Sequence, residues 1–422
     1  MNDTLSRREL FTRWFKSGSL TPEALPKHAP RVAFAPRGAF PLGDVVVCVF
    51  LRGGMDGLSV VAPYGEGAHY YDARPTLGLR EPGAPANALL DLNGFFGLHP
   101  SLAPLLPLYQ GGRLSFVHAT GGTDPTRSHF DAMRFMEAGA PGDRSIGTGW
   151  LGRHLELLNA GNDSPFRALG IGDLLPESLR GSVPALAIGD LESFRLQARW
   201  DEQDAIEQQI RAQYRVDSPS GFLEQAARSV FDVVDIIQGL DPGNYAPSGG
   251  AVYPENQAGW GLRQVAQLIK ADLGLEAACV DFGGWDTHEG EGVIGGWFDG
   301  MIAGLGQALA AFHADLGNAM DRVTVVTMSE FGRRVEENGS AGTDHGHGNV
   351  MMLMGGGLNG GQVFADWPGL APNELDDGDL AITTDYRDVL AELIERRLAN
   401  PQAAQVFPNF TPQALNLFVP QA

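Results

Sequence analysis

The stretch DVVVCVFLRGGMDG, residues 44–57, contains an unbroken apolar run at 45–51 that ends in a glycine turn followed by Asp56. A continuous β-branched run of this kind is typical of a strand buried on both faces, as in the parallel sheet of an α/β protein. Three further apolar runs end in a similar way: RLSFVHATGGTDPTRSH at 113–129, EAACVDFGGWDTH at 276–288 and RVTVVTMSEFGRR at 322–334. Ligands of open α/β sheets bind beyond the carboxyl ends of the strands. The four run ends therefore predict one shared site.

Helical and strand-like segments alternate along the rest of the chain. We expect helices at 102–109, 131–138, 201–215, 222–240, 260–271, 298–317 and 385–398, and strands at 114–118, 185–188, 277–282, 323–328 and 350–354. This alternation predicts an α/β fold with a doubly wound, mostly parallel central sheet flanked by helices.

The chain is expected to form one domain at 43–422, preceded by a leader-like arm at 1–42 and carrying a helical insertion near 190–245. The loop at 241–259 is either a boundary or a cover over the site. The glycine run at 355–361 predicts a hairpin turn rather than a phosphate-binding loop, because no helix follows it.

Composition narrows the class of protein. The 422 residues are 43% hydrophobic, as in a globular core, and the net charge of −21 disfavours a nucleic-acid partner. A surplus of carboxylates suits a cation-binding protein, although most surface carboxylates serve solubility. The two cysteines, Cys48 and Cys279, lie in apolar runs and are expected to be buried thiols, not a disulfide or a zinc site. The sequence has no apolar window long enough to predict a membrane span.

The amino terminus leaves two alternatives open. Residues 6–11, SRRELF, resemble a twin-arginine export signal, which would place the protein in the periplasm. The stretch that follows lacks the apolar core of a signal, and Pro36 follows the cleavage-like triplet at 33–35. The alternative is a degenerate leader that now serves as an ordered or flexible arm.

A hydroxyl and a guanidinium lie close together after the second run. Thr123 stands at the predicted strand end and Arg127 follows four residues later. A hydroxyl activated by a metal could attack phosphorus or sulfur while the guanidinium holds an oxyanion. The structural alternative is that Thr123 or Asp124 caps the following helix.

Imidazoles and carboxylates cluster in two places that suit metal binding. Asp286 and His288 lie two residues apart, and Asp344, His345 and His347 lie among glycines that permit tight wrapping. Oxygen and nitrogen donors without thiolates favour a divalent zinc, manganese, magnesium or calcium ion. An exposed Asp with a hydrogen-bonded His is the alternative for the first pair. Asp56 could equally be a metal ligand or a turn residue.

Several of these segments together resemble a known family. The twin arginine, RGGMDGL, TDPTRSHFDAMRF, GGWDTH, SEFGR and DHGHGN followed by GGGLNGGQV are similar, in order and over nearly the whole chain, to the bacterial family DUF1501. That family is grouped with the alkaline phosphatase and sulfatase superfamily. The resemblance implies an alkaline phosphatase-like fold that uses two metals and a nucleophile.

The resemblance also implies roles for individual residues. Asp56 resembles the metal-binding Asp after the first strand, and Thr123 stands at the nucleophile of a Cys/Ser-x-Pro-Ser-Arg motif. Asp286 and His288 resemble the metal-binding Asp and His pair. Glu330 stands where an Asp ligand is typical, but Phe331 stands where a His is typical. His345 or His347 corresponds to the late metal-binding His.

These assignments lead to two hypotheses. The first is a metal-dependent hydrolase of small-molecule or polymer phosphate or sulfate esters, in which Thr123 attacks, Arg127 holds the oxyanion and His129 is a general acid or supports a ligand. A formylglycine-type sulfatase is not expected, because a threonine cannot be converted to formylglycine. The second is a non-catalytic protein that binds a ligand or partner in the same crevice, which Phe331 favours.

Overall fold

The computed structural model describes residues 43–158, 161–195, 203–214 and 222–419. The leader-like arm at 1–42, with its paired arginines, lies outside the described residues, so the arm and export stay predictions. Within the described part, no helix has the length and apolar character needed to cross a membrane.

A central sheet runs through the described chain and confirms the predicted α/β class. Its order is β11-β5-β10-β9-β1-β8-β6-β7, and β12 also pairs with β5. Every pairing among these described strands is parallel except those of β10, which is antiparallel to both neighbours. The strands of the central sheet are β1 Val45–Arg52, β5 Leu114–Gly121, β6 Ala168–Ile171, β7 Leu186–Ile188, β8 Ala277–Gly283, β9 Val323–Met328, β10 Asn349–Gly355, β11 Val363–Phe364 and β12 Thr384–Asp385, and a small second sheet contains β2 Val61–Ala62, β3 Leu90–Asp91 and β4 Gly97–Leu98.

Helices cover both faces of the sheet, which is why β1 is apolar from Val45 to Leu51. Val47 and Val49 face one core with Leu262 and Leu305, whereas Cys48 faces the other core. The described α-helices are α1 Gly57–Val60, α2 Ala68–Ala73, α3 Leu106–Gln110, α4 His129–Ala138, α5 Trp150–Leu158, α6 Gln203–Tyr214, α7 Phe222–Gly239, α8 Gln257–Lys270, α9 Trp297–Leu316, α10 Tyr386–Glu392 and α11 Ala403–Val406. The two cysteines are buried free thiols, as predicted.

The direction of β10 decides which loops meet. The carboxyl ends of β1, β5, β8 and β9 share one edge of the sheet because these strands are parallel. Since β10 runs the other way, the loop that precedes it, at 343–348, lies at this same edge. The residues of DHGHG therefore join the polar residues that follow the four apolar runs.

Three local predictions need correction. The glycine run at 355–361 is not a hairpin turn, because β10 and β11 lie on opposite sides of β5 and pair with it, not with each other. The helix expected at 385–398 ends its α-helical part at Glu392 and continues as a π-helix, Leu393–Arg397. The loop at 241–259 does not cover the site. Tyr245 and Tyr253 donate to Asp315 at the end of α9, next to the amino end of β9.

Contacts divide the chain into two compact units. Among the described residues, the larger unit comprises 43–158, 161–195 and 233–419 and contains the sheet, and the smaller unit includes 203–214 and 222–232. Within the smaller unit, Arg211 pairs with Glu207 and lies over the ring of Phe231. The division into one domain with an insertion stays a prediction.

Candidate metal centre

Four side chains converge at the carboxyl edge of the sheet. Asp286 and His288 follow β8, His129 is the first residue of α4 after β5, and His345 lies in the loop before β10. One ligand atom from each of His129, Asp286 and His345 lies within 4.8 Å of the others. His288 Nε2 lies 3.1 Å from Asp286 Oδ1 and 2.9 Å from His345 Nε2. We call these four residues the His/Asp cluster.

Nδ1 of each imidazole lies within hydrogen-bond distance of an oxygen, which favours the tautomer with its proton on Nδ1. His345 Nδ1 donates to the carbonyl of Arg127 at 2.9 Å, and His288 Nδ1 donates to Asp344 Oδ1 at 3.2 Å. His129 Nδ1 donates to Glu330 Oε1 at 2.7 Å. With the proton on Nδ1, each Nε2 presents a lone pair towards Asp286, and the buried His129 Nε2 has no hydrogen-bond partner. This is the arrangement in which proteins hold imidazoles for metal binding.

Asp286 is the carboxylate that the imidazoles share. His345 Nε2 lies 3.1 Å from its Oδ1, and His129 Nε2 lies 3.4 Å from its Oδ2. Arg333 Nη2 donates to Oδ1 at 2.8 Å. Partial burial alone would raise the pKa of Asp286, but the hydrogen bond from Arg333 and the charge of Arg333 lower it to about 2. Asp286 is therefore ionised at every pH at which the protein would be studied.

Glu330 supports the cluster through His129. Its side chain is fully buried, and Oε1 accepts from the Gly53 backbone N–H at 2.8 Å as well as from His129. The hydrogen bond to Glu330 raises the pKa of His129, whereas burial lowers the pKa of His345. Glu330 thus lies beside Nδ1 of His129, on the side of the ring away from Nε2.

Phe331 forms an apolar wall where the resemblance implies a histidine. Its ring centroid lies 4.9 Å from that of His129 and 4.7 Å from that of His345. A Cβ at Gly54 would lie 2.5 Å from the Phe331 ring, so the glycine after β1 is needed for this packing. The aromatic side chain restricts how both imidazoles can turn.

Asp56 lies outside the His/Asp cluster. Arg74 donates to both of its carboxylate oxygens, and the two side chains are fully buried. Burial would raise the pKa of Asp56, but the charge and hydrogen bonds of Arg74 lower it. Burial and the neighbouring Asp56 charge raise the pKa of Glu291 to about 8, and Glu291 accepts from Thr343 at 2.9 Å.

His347 and Arg127 contact a second group of acids. Arg127 donates to buried Asp379 at 2.6 Å, and His347 Nδ1 lies 3.6 Å from both Asp379 and Asp376. His347 lines a cavity of about 20 Å³ together with Phe331. The exposed fraction of the Asp344 side chain is 59%, and Asp344 contacts the cluster through His288 alone among its four residues.

Thr123 is exposed on the loop after β5, and the structure gives no hydrogen bond between it and any described residue. The capping alternative is wrong, because the N-cap of α4 is Ser128 and Asp124 accepts from the Thr126 N–H within the loop.

Sequence reasoning missed three charged residues that shape this edge. Arg74, Glu291 and Asp379 follow no apolar run and have no motif that would mark them. Arg333 was visible in SEFGRR, but its burial was not. It donates to the carbonyls of Gly54, Gly53, Trp285 and Thr343 and so ties together the loops after β1 and β8 and the loop before β10.

The donor set fits a divalent cation. Nε2 of each of the three imidazoles lies 3.1–3.4 Å from an oxygen of Asp286, and His288 Nε2 lies 2.9 Å from His345 Nε2. Without a cation, two lone pairs 2.9 Å apart repel unless one imidazole takes up a second proton. Zinc binds such nitrogen-rich, four-ligand sets in proteins.

Three solved structures are similar to this chain at low sequence identity. The lipoteichoic acid synthase LtaP from Listeria monocytogenes is 10% identical, with a TM-score of 0.31 over 82% of this chain and 76% of its own. The periplasmic domain of EptC from Escherichia coli, in complex with zinc, is 11% identical, with a TM-score of 0.37 over 92% and 96%. The protein i-CgsB bound to a neocarrahexaose is 11% identical, with a TM-score of 0.38 over 90% and 75%.

At these identities and TM-scores, the similarity does not indicate what activity this chain has. A search of curated proteins found no match. Comparison with protein-family models identifies the family of this chain. Residues 44–403 match the model described as protein of unknown function, DUF1501, and the chain therefore belongs to that family.

Proposed function

We propose that the His/Asp cluster binds a divalent metal ion through His129, Asp286, His288 and His345. The observation that carries this proposal is the orientation that the three imidazoles share. Each imidazole has its Nδ1 proton held by an oxygen and its Nε2 turned towards Asp286. Zinc suits this nitrogen-rich set better than magnesium or calcium, which prefer oxygen ligands. Glu330 and Asp344 then hold imidazoles in place instead of binding the ion.

We propose further that the protein hydrolyses phosphate or sulfate esters. The negative charge of Asp286 is balanced by Arg333, which is held by carbonyls and lies 2.8 Å away. The ligand set is therefore close to neutral, and a bound divalent cation would retain its positive charge and attract an anionic ester. Such an ion supplies a Lewis acid that polarises the ester and lowers the pKa of a nucleophile.

The loop after β5 supplies the groups that would act on the ester. Thr123 is exposed on this loop, and the Arg127 carbonyl accepts from His345 Nδ1, which fixes the loop relative to the cluster. In the proposal Thr123 Oγ1 attacks phosphorus or sulfur, the ester bond breaks, and the leaving alcohol departs with a proton that is supplied through solvent as Thr123 gives up its own. Water then releases the phosphate or sulfate from Thr123. The partly exposed Arg127 guanidinium holds an oxyanion throughout while Asp379 orients it. His129 is assigned to the metal and not to proton transfer.

A non-catalytic binding protein is the second candidate. Phe331 occupies the position at which the resemblance implies a ligand, and no hydrogen bond joins Thr123 to the cluster among the described residues. The same cluster would then bind a metal and an anionic ligand without turnover.

Metal content and turnover together separate these possibilities. We expect the purified protein to retain zinc after dialysis and to hydrolyse members of a panel of phosphate monoesters, phosphate diesters and sulfate esters. Thr123→Ala should lower kcat by at least about 10³-fold with zinc affinity unchanged. Thr126→Ala, which removes a hydroxyl three residues further along the same loop, is the matched control. Full activity in Thr123→Ala would exclude the nucleophile, and zinc retention without turnover on any ester would favour the binding protein.

A further inference from the structure

We infer that this chain binds one metal ion, although the superfamily that it resembles uses two. The inference rests on the proposed metal centre and fixes the number of ions in it. Two-metal sites hold their ions about 3.5–4 Å apart and need a second set of free ligands beside the first. In the described part of the chain, three carboxylates considered for that second set, those of Asp56, Glu330 and Asp379, are bound to guanidinium groups or to an imidazole.

Asp56 is the first carboxylate that a second ion would need. Arg74 holds it in a bidentate pair and also donates to Ser59 Oγ at 3.0 Å and to the carbonyls of Val335 and Arg334 at 2.9 Å. Both side chains of the pair are 0% exposed. An ion that took Asp56 would leave the Arg74 charge buried without its counterion, which is strongly unfavourable. Arg74 thus occupies the place of a cation.

Glu330 is the second such carboxylate. Its Oε1 accepts from His129 Nδ1 and from Gly53 N–H, and its Oε2 lies 3.3 Å from Ser329 Oγ. Because His129 lies between Glu330 and Asp286, the carboxylate faces away from the other ligand atoms. It supports a ligand of the first ion and is not placed to bind another.

His347 and Asp379 could mark a second centre elsewhere, but their surroundings do not suit a cation. Arg127 and Arg334 both approach Asp379, at 2.6 and 3.6 Å, and would repel an ion placed there. The adjoining cavity of about 20 Å³ has the size of one water molecule and is bounded by Phe331 and Tyr386. Among the described residues, the His, Asp and Glu ligand atoms that converge on one point without an opposing guanidinium between them are those of the His/Asp cluster.

Cobalt(II) and zinc titrations of the full chain test this inference. Protein freed of metal with a chelator is titrated with cobalt(II) while the visible absorption is recorded, and zinc is counted by elemental analysis after dialysis. We expect both to saturate at about one equivalent per chain. X-ray absorption of the zinc form should show nitrogen and oxygen scattering without a metal neighbour at about 3.5–4 Å. Two tightly bound equivalents, or a metal neighbour in the absorption data, would overturn the inference.

Two variants locate the ion. His347→Asn alters the candidate second group at a partly exposed side chain, and we expect it to leave the stoichiometry at one. Asp286→Asn changes the shared carboxylate, and we expect it to remove tight binding. If the parent bound two ions and His347→Asn bound one, the second ion would lie at His347 and the inference would fail.

The inference and the proposed function can fail separately. One equivalent of zinc without ester hydrolysis would leave the single-metal centre intact and reject the hydrolase. Hydrolysis with two equivalents would support the hydrolase and reject the single-metal centre. Absence of metal binding would reject both.

Discussion

Replacing Glu330 by glutamine measures how much the carboxylate behind His129 contributes to metal binding. Glu330 Oε1 accepts from His129 Nδ1 at 2.7 Å and from Gly53 N–H at 2.8 Å. The glutamine carbonyl can accept the same two hydrogen bonds. Its amide can donate to Ser329 Oγ, which lies 3.3 Å from Glu330 Oε2. The substitution therefore removes the charge and keeps the shape, and the fold is expected to survive.

The size of the effect follows from the lost charge. A hydrogen bond to a charged group contributes about 1.5–3 kcal/mol and one between neutral groups about 0.5–1.5 kcal/mol. Since the carboxylate makes the His129 imidazole a stronger base, its removal should weaken metal binding by about 1–2 kcal/mol, or about 5- to 30-fold in Kd. The pKa of His129, which the hydrogen bond to Glu330 raises, should fall towards its ordinary value.

Competition with a chromophoric zinc chelator gives the zinc dissociation constants of the parent and of Glu330→Gln. The measurement is made at pH 8, where protons compete little with zinc for His129. Glu337→Gln is the matched control, because Glu337 also accepts from backbone N–H groups, those of Thr76 and Leu77, and contacts none of the proposed ligands. We expect Glu337→Gln to bind zinc as the parent does. A Glu330→Gln protein that folds normally by circular dichroism and binds zinc within twofold of the parent would refute the role of Glu330 and the tautomer argument on which it depends.

Three further predictions concern the same edge of the sheet. Asp344→Asn should weaken zinc binding by less than about 10-fold, because the Asp344 side chain is mostly exposed and supports only His288. Asp286→Asn, which changes a proposed ligand, should weaken zinc binding by more than about 100-fold. Isothermal titration calorimetry of both variants with zinc checks this order. Arg333→Met should lower the free energy of unfolding in urea by about 3 kcal/mol or more, because four carbonyls lose their buried donor, and a loss below about 1 kcal/mol would contradict this. Glu291 has its pKa raised to about 8 by burial and by the Asp56 charge, so the folded state keeps a proton that the unfolded state loses above its ordinary value of 4.5. The stability of the protein should therefore fall as pH rises from 4.5 to about 8, and Glu291→Gln should flatten this part of a pH series of urea denaturations.

The sequence predicted the main strands well because their signal is local. The strand at 323–328 matches the structure at both ends, and β1, β8 and β10 begin and end within one or two residues of their predicted bounds. These segments are buried on both faces, so most of their residues are apolar and the run itself marks the strand. The short strands β6 and β11 lack such a run and were missed.

Long-range partners of charged residues could not be predicted in the same way. Asp56 followed β1 as expected, but Arg74, which neutralises it, lies in no recognisable motif. Sequence spacing says nothing about which carboxylate a guanidinium will reach after folding. The metal-ligand role of Asp56 therefore stays a prediction from resemblance, and the buried ion pair argues against it.

The position of Phe331 becomes understandable once His129 is placed in the cluster. A histidine ligand at 331 would have come from the end of β9, and its loss suggested an incomplete site. In the structure the end of β9 instead provides Glu330, which holds His129, and Phe331, which packs against the rings of His129 and His345. In the proposed metal centre, the first residue of α4 thus supplies the nitrogen that was expected from β9. Since α4 follows the Thr123 loop directly, the proposed nucleophile and a proposed metal ligand are separated by only five residues of chain, so a shift of this loop would change both metal affinity and turnover.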